Sequence, residues 1–275
     1  MNPDQFIAKV SQLATSSKPF FFLIDFEKKK PLALTFDEAR EGGLFFEIGN
    51  HSNLDKKTVA KNPQISYDPV SKSIFQEKLE NVLEHIQQGD TYLLNLTFPS
   101  RLHINLDLEE IFHLSKAKYK LWKKDHFVVF SPETFIKIKD NQIFTYPMKG
   151  TIDASLPEAE SQLLLNQKEE WEHNTIVDLM RNDLALVAEN IKVLKYRFVE
   201  KIKTHKHEIL QTSSEISGNL PQNWKENLGE TLLKLLPAGS ISGAPKQKTV
   251  EIIEKNEVIT QGFLEFLMEI RSIRE

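Results

Sequence analysis

Strand-like and helix-like stretches of this 275-residue chain come in blocks, and that order limits its fold more than any other feature. Strict alternation of strands with amphipathic helices would imply a parallel sheet with crossover helices. Here the pattern is different. A helix over residues 4–15, with Phe6, Ile7, Val10 and Leu13 on one face, leads into strands at Phe20–Phe26 and in the LFFEI run. Residues 50–70 are polar, carry Pro63 and Pro69, and predict mostly loop. Ile74, Leu79, Val82, Leu83 and Ile86 mark a helix from Ser71 to Gln88, stopped by Gly89-Asp90, with a strand at Tyr92–Leu96 after it. A helical segment at 107–122 precedes strands at 126–130, 134–139 and Ile143–Tyr146, the last two joined by a turn at Asp140-Asn141-Gln142. Helix over 155–190, strands at Val193–Val199 and Glu208–Gln211, and a helix from Pro245 to about Lys255 complete the series. The block order predicts an α+β fold of antiparallel sheets flanked by helices.

Composition bears on function more than on fold. Hydrophobic residues make up 40% and charged residues 27%, an ordinary globular mixture long enough for one large domain or two modest ones. A net charge of −4 gives no electrostatic footprint for nucleic acid or a membrane surface. The longest apolar runs, such as Pro19–Ile24, are too short to span a bilayer. No leader pattern opens the chain, which predicts a cytoplasmic protein. There is no cysteine, which excludes disulfides, thiolate metal sites and a cysteine nucleophile. A metal would be held by oxygen ligands or histidine, and carboxylates favour Mg²⁺.

Chemistry-bearing residues gather in KEEWEHNTIVDLMRNDL, residues 168–184. Glu169 and Glu172 lie three apart, so both carboxylates leave one face of a helix. His173 follows directly, Ile176, Leu179, Met180 and Leu184 form the apolar side, and Arg181, Asn182 and Asp183 close the segment. Two acids and a histidine alone describe many solvated helices. Three further segments change that reading: GDTYLLNLT (89–97), SPETF (131–135) with PMKGT (147–151), and PAGSISGAPK (237–246).

In order and spacing these four segments resemble the chorismate-utilising enzymes, most nearly the 4-amino-4-deoxychorismate synthase component I branch that serves p-aminobenzoate and folate synthesis. The resemblance covers roughly residues 75–256. It implies a single chorismate-binding domain over 1–275, with a short N-terminal part (1–70), and a fold of the anthranilate synthase component I type. It implies that Lys149 adds covalently at C2 of chorismate, ammonia adds at C4, and Lys149 departs; a lysine amine is suited to such nucleophilic work. Glu133 corresponds to the general acid that protonates the departing hydroxyl, which needs a poorly solvated carboxyl. Glu172 matches a Mg²⁺ ligand and Glu169 a second acid beside the metal, whose charge would reconcile acidic residues with a dicarboxylate substrate. Thr151 is implied as a hydrogen-bond donor to substrate, and Gly150 as the residue that lets the backbone come close. Gly239, Ser240, Gly243 and Ala244, just ahead of a helix starting at Pro245, are implied to bind a substrate carboxylate through exposed N–H groups, with Lys246 a nearby charge. His173 is read as structural support.

Two departures accompany the resemblance. Gln211, in LQTSSEISG, stands where many members have histidine, and an amide can still donate a hydrogen bond. The segment after residue 256 is atypical for the family. Its simplest reading is a helix, but back-translation of Glu257–Glu275 in a frame shifted by one base permits RGYYTGVFGIFDGNKIDSR, the kind of run the family has there. On that reading 257–275 is an out-of-frame tail, the fold is incomplete at its C-terminus, and catalysis by this chain is weak or absent. Ammonia is expected from a separate glutamine amidotransferase subunit, since the family's glutaminase chemistry needs a cysteine. Anthranilate synthase and isochorismate synthase remain alternatives, the first disfavoured by Lys149. A non-catalytic remnant that only binds an amidotransferase is the alternative of another class.

Overall fold

The computed structural model describes residues 1–203, 207–257 and the pair 269–270. Helix α1 (Pro3–Thr15) opens with a reciprocal cap between Asn2 and Gln5 and buries Phe6, Val10 and Leu13. A hairpin of β1 (Phe20–Leu23) and β2 (Leu32–Thr35) leads to the short helix α2 (Phe36–Glu41), capped by Thr35 and Glu38. Strand β3 (Leu44–Ile48) alternates buried and half-buried residues. Residues 50–70 are mostly loop, as expected, and hold the two short strands β4 (His51–Ser52) and β5 (Ile65–Asp68). Strand β4 folds straight back on β3 through the Gly49-Asn50 turn, whereas β5 pairs with Arg101–Ile104, a partner that no local pattern announces.

Helix α3 (Lys72–Gln87) forms where its periodicity places it, followed by β6 (Leu93–Leu94) and β7 (Arg101–Ile104). The helix expected over 107–122 is corrected. Helix α4 ends at Leu114 (Leu108–Leu114), and Tyr119–Lys123 is strand β8, paired with β3 on one side and with Phe127–Ser131 on the other. Tertiary burial overrides a Leu- and Lys-rich composition there, because Tyr119 and Leu121 pack into a cluster with Phe21, Leu44 and Phe46. Lys120 is equally buried and forms an ion pair with Glu47 across the ladder.

Strands β9 (Phe127–Ser131), β10 (Lys137–Lys139) and β11 (Gln142–Thr145) follow, with Asp140 and Asn141 both at positive φ in the β10–β11 turn. After β12 (Met148–Asp153) the expected helix over 155–190 divides into α5 (Ala159–Leu165) and α6 (Gln167–Ala185), where Asn166 ends one and caps the other. Two long strands, β13 (Glu189–Lys203) and β14 (Glu208–Asn219), exceed the stretches expected from sequence because they pair with each other along most of their length. The chain continues as α7 (Leu228–Leu235), the single turn α8 (Gly239–Ser242), β15 (Gly243–Ala244) and α9 (Lys246–Asn256). The strand pair β16 (Glu269–Ile270) runs parallel to β10. The reading of the rest of the tail as a helix or an out-of-frame run falls outside the described residues.

All other pairings among the described residues are antiparallel. One sheet runs β4-β3-β8-β9, a second β12-β14-β11-β10-β16 with β13 on β14, and β15 pairs with β6. The larger apolar cluster lies where α1, α6 and α7 meet the second sheet, joining Phe6, Ile143, Ile176, Met180, Ile216 and Leu232. Helix α6 thus lies on the sheet with its charged turns free, and that placement builds the site.

Candidate active site

Lys149 sits in β12, and the residue after it sets the local geometry. Gly150 has φ +80° and is an extra residue in the ladder, so that Lys149 opposes Thr212 while Thr151 opposes Gln211. A bulge of this kind sharpens the strand's twist and re-aims its neighbours. A Cβ on Gly150 would lie 3.0 Å from Glu169 Oε2 and 3.4 Å from Leu163 Cδ1, so a larger residue would press on Glu169, and the positive φ favours glycine.

Behind the bulge, His173 of α6 is fully buried. Its Nε2 lies 2.6 Å from Ser214 Oγ and its Nδ1 3.4 Å from Thr212 Oγ1. The Thr212 hydroxyl donates to the Lys149 carbonyl. Toward the ring that hydroxyl can therefore only accept, which makes Nδ1 the protonated nitrogen and Nε2 the acceptor of the Ser214 proton. Burial first, and then the nearby Arg197 charge, lower the His173 pKa to about 4, so the ring is neutral. Arg197 is buried too, and its guanidinium donates at 3.1 Å to the carbonyls of Leu163 and Leu164 at the end of α5. His173, Thr212, Ser214 and Arg197 thus fix the backbone on which Lys149 stands.

Glu133 follows β9, its N–H donating to Ser131 Oγ at 3.1 Å. Poor solvation pushes its carboxyl up to about 7, opposed by the positive charge of Lys149 and a hydrogen bond from the Ser240 side chain. Three residues that the sequence nominated from three separate segments, Glu133, Lys149 and Ser240, therefore converge. A carboxyl with that pKa can carry a proton near neutrality and face an amine across the same space.

The PAGSISGAPK segment differs from its expectation. Its N–H groups are largely used internally: Gly239 donates to Asp183 Oδ2 at 2.8 Å, and Gly243 to the Gly239 carbonyl. Gly243 and Ala244 pair with Leu94 and Leu93, and the Ala244 carbonyl accepts from Tyr92 N–H at 2.8 Å and Thr91 Oγ1 at 2.9 Å. Lys246, expected near substrate, pairs with Asp183 Oδ1 at 2.8 Å and donates to the Leu235 carbonyl at 2.9 Å. The physical reason is Asp183 itself, a carboxylate in the core that needs donors on both oxygens. Sequence reasoning passed over it as a polar helix end. Its spacing from Ile176, Leu179 and Met180 places it on the apolar side of α6, a signal that was available.

Thr151 and Gln211 are cross-ladder neighbours. Glu169 lies against Gly150, and Glu172 is half-exposed with Lys168 Nζ 3.4 Å away. Among the described residues no three His, Asp or Glu side chains gather as a metal cage. Two carboxylates one helical turn apart still suit Mg²⁺, which keeps several waters and binds one or two protein carboxylates plus substrate oxygens. Across the sheet lies a separate cavity of about 480 Å³, lined by Tyr146, Met148 and Phe198 with Lys137, Lys195 and Glu215 among the charged residues. No helix among the described residues is long and apolar enough to cross a membrane.

Residues 7–261 match the family described as chorismate binding enzyme. The chain belongs to that family. An uncharacterised PabA-like protein of Haemophilus influenzae is 51% identical over 94% of this chain and 79% of its own length. The aminodeoxychorismate synthase component 1 of Bacillus subtilis is 26% identical over 70% of this chain and 43% of its own. Among solved structures, the menaquinone-specific isochorismate synthase of Escherichia coli has a TM-score of 0.65 at 14% identity, covering 94% of this chain and 67% of that one. Anthranilate synthase component I of Streptococcus pneumoniae has a TM-score of 0.55 at 23% identity, covering 72% and 46%. These structures share the fold, mixed helices with antiparallel sheets.

Proposed function

We propose that this site converts chorismate and ammonia to 4-amino-4-deoxychorismate, the step toward p-aminobenzoate. The observation that carries the reading is the Glu133 carboxyl, poorly solvated and with its pKa near 7, facing Lys149. The Lys149 amine attacks C2 of the ring, the two ring double bonds shift, and the C4–O bond breaks. The Glu133 proton leaves with the hydroxyl as water. Ammonia then adds at C4, the double bonds shift back, and the Nζ–C2 bond breaks to free Lys149. Thr151 and Gln211 hold the substrate by hydrogen bonds, and the Ser240 hydroxyl orients Glu133. Glu169 and Glu172 would hold Mg²⁺, which when bound supplies positive charge for a substrate carboxylate. Ammonia would come from a separate glutamine amidotransferase subunit, in keeping with the absence of cysteine from this sequence.

The test is intact-mass spectrometry of the purified chain incubated with chorismate and Mg²⁺ without ammonia. The expected result is a protein species heavier by chorismate less one water, absent in Lys149→Ala and slow in Glu133→Gln, and discharged to 4-amino-4-deoxychorismate by ammonium. No adduct would replace the reading with the non-catalytic remnant that an out-of-frame tail implies, an adduct that survives Lys149→Ala would overturn it, and anthranilate or isochorismate as product would replace it.

A further inference from the structure

Helix α6 carries more than the acids of its first turns. Near its other end Asp183 reaches two elements that are separate in the chain. One oxygen accepts the Gly239 N–H at the start of α8, and the other binds the Lys246 ammonium at the start of α9. Lys246 in turn ties to the Leu235 carbonyl at the end of α7, so a single carboxylate spans the whole connection from α7 to α9. Ser240 is the residue after Gly239, and its hydroxyl is the hydrogen-bonding partner of the Glu133 carboxyl. Asp183 is buried, and these groups are the donors that face it. Glu133 is faced by Lys149 from β12 and Ser240 from α8.

We propose that Asp183 is a positioning residue for the acid: by holding Gly239 and Lys246 it fixes the Ser240 hydroxyl against the Glu133 carboxyl. It never touches the substrate. Removing it frees α8 to move, and a displacement of one ångström is enough to lose that hydrogen bond. The donor favours the ionised carboxyl, so its loss drives the Glu133 titration to higher pH. The proposal rests on the aminodeoxychorismate reading for its catalytic consequence, but not for the titration itself.

The experiment follows the Glu133 side-chain carbon by NMR in protein labelled at glutamate Cδ, the signal assigned by its loss in Glu133→Gln. Asp183→Ala, Ser240→Ala and the double variant are compared with the native chain. Asp183→Asn, which keeps an oxygen for the Gly239 N–H but gives up the Lys246 ion pair, serves if the alanine variant does not fold, with a smaller rise expected. The Glu133 midpoint is expected to rise in each single variant, and the double variant to shift no further than Ser240→Ala alone. An unchanged midpoint in the Asp183 variants, or additive shifts, would overturn the proposal. Adduct formation with chorismate should slow roughly 10²-fold in the Asp183 variant while chorismate affinity holds. The two failures are separable: a moved midpoint without any native adduct sinks only the reaction, and an adduct with an unmoved midpoint sinks only Asp183's role.

Discussion

Replacing Glu133 by Gln should make this protein acid-labile, because Glu133 offsets a penalty at His173. The ring of His173 is fully buried, and burial, then Arg197, depress its pKa from 6.5 to about 4. The unfolded chain takes up a proton in that window which the folded chain refuses, so stability falls as pH falls from 6.5 to 4. At about 1.36 kcal/mol per pKa unit, the loss between about pH 7.5 and about pH 5 is about 2 kcal/mol. Glu133 acts with the opposite sign. Its carboxyl, raised from 4.5 to about 7 chiefly by burial, keeps a proton in the folded state that the unfolded chain releases. Stability therefore rises by about 2 kcal/mol over the same interval, and the two effects cancel in the native protein. Urea unfolding at both pH values should show Glu133→Gln losing about 2 kcal/mol more than native on acidification, and adding His173→Gln should abolish the difference. Native and Glu133→Gln curves falling in parallel would refute the reasoning.

Three further outcomes follow from the geometry. Gly243→Ala places a Cβ 1.9 Å from the Leu93 carbonyl oxygen, which is backbone and cannot yield, at a φ of +123°. It should cost about 4 kcal/mol or more and sharply reduce the yield of folded protein in a thermal-shift assay. Gly150→Ala meets a movable carboxylate, Glu169, but keeps an unfavourable positive φ. A loss of about 1–2 kcal/mol in urea unfolding is expected, with slower adduct formation at Lys149. Lys120→Met strips Glu47 of its buried partner, leaving Lys56 at 3.5 Å, and should cost about 3 kcal/mol by the same assay.

Helices α1, α3 and α6 were legible because their apolar residues recur at helical spacing, and α1 also shows its cap, Asn2 with Gln5. Strand β8 was not, because YKLWK owes its burial and much of its pairing to β3, far earlier in the chain, and its hairpin with β9 was masked by a Leu- and Lys-rich composition. The same holds for β5 and β7, which find each other across the helix between them. Glu133, Lys149 and Ser240 could be nominated because the short segments that carry them resemble those of the chorismate-utilising enzymes; none of the three stands out by residue type alone. Of the groups that hold them only His173 was nominated, as structural support; its partners could not be. His173, Thr212, Ser214 and Arg197 form one hydrogen-bonded set drawn from α6, β13 and β14, and Asp183 reaches Gly239 across 56 residues. Side-chain partners at such range leave no periodicity in the sequence, although an acid on the apolar side of α6 was a visible anomaly.

The partners of residues 91–97 lie far along the chain. Thr91 bonds Thr249 across 158 residues, and Thr97 bonds Glu257 across 160. During synthesis at about 5–20 residues per second, roughly 10–30 seconds separate the emergence of the two sides. For that interval β6 has no strand to pair with. Just upstream, α3 presents Ile74, Phe75, Leu79 and Leu83, which stay exposed in the folded chain. A nascent chain that shows such a face while its neighbour awaits a partner is a natural client for chaperones at the ribosome exit, and its yield should depend on them more than on the finished protein's stability.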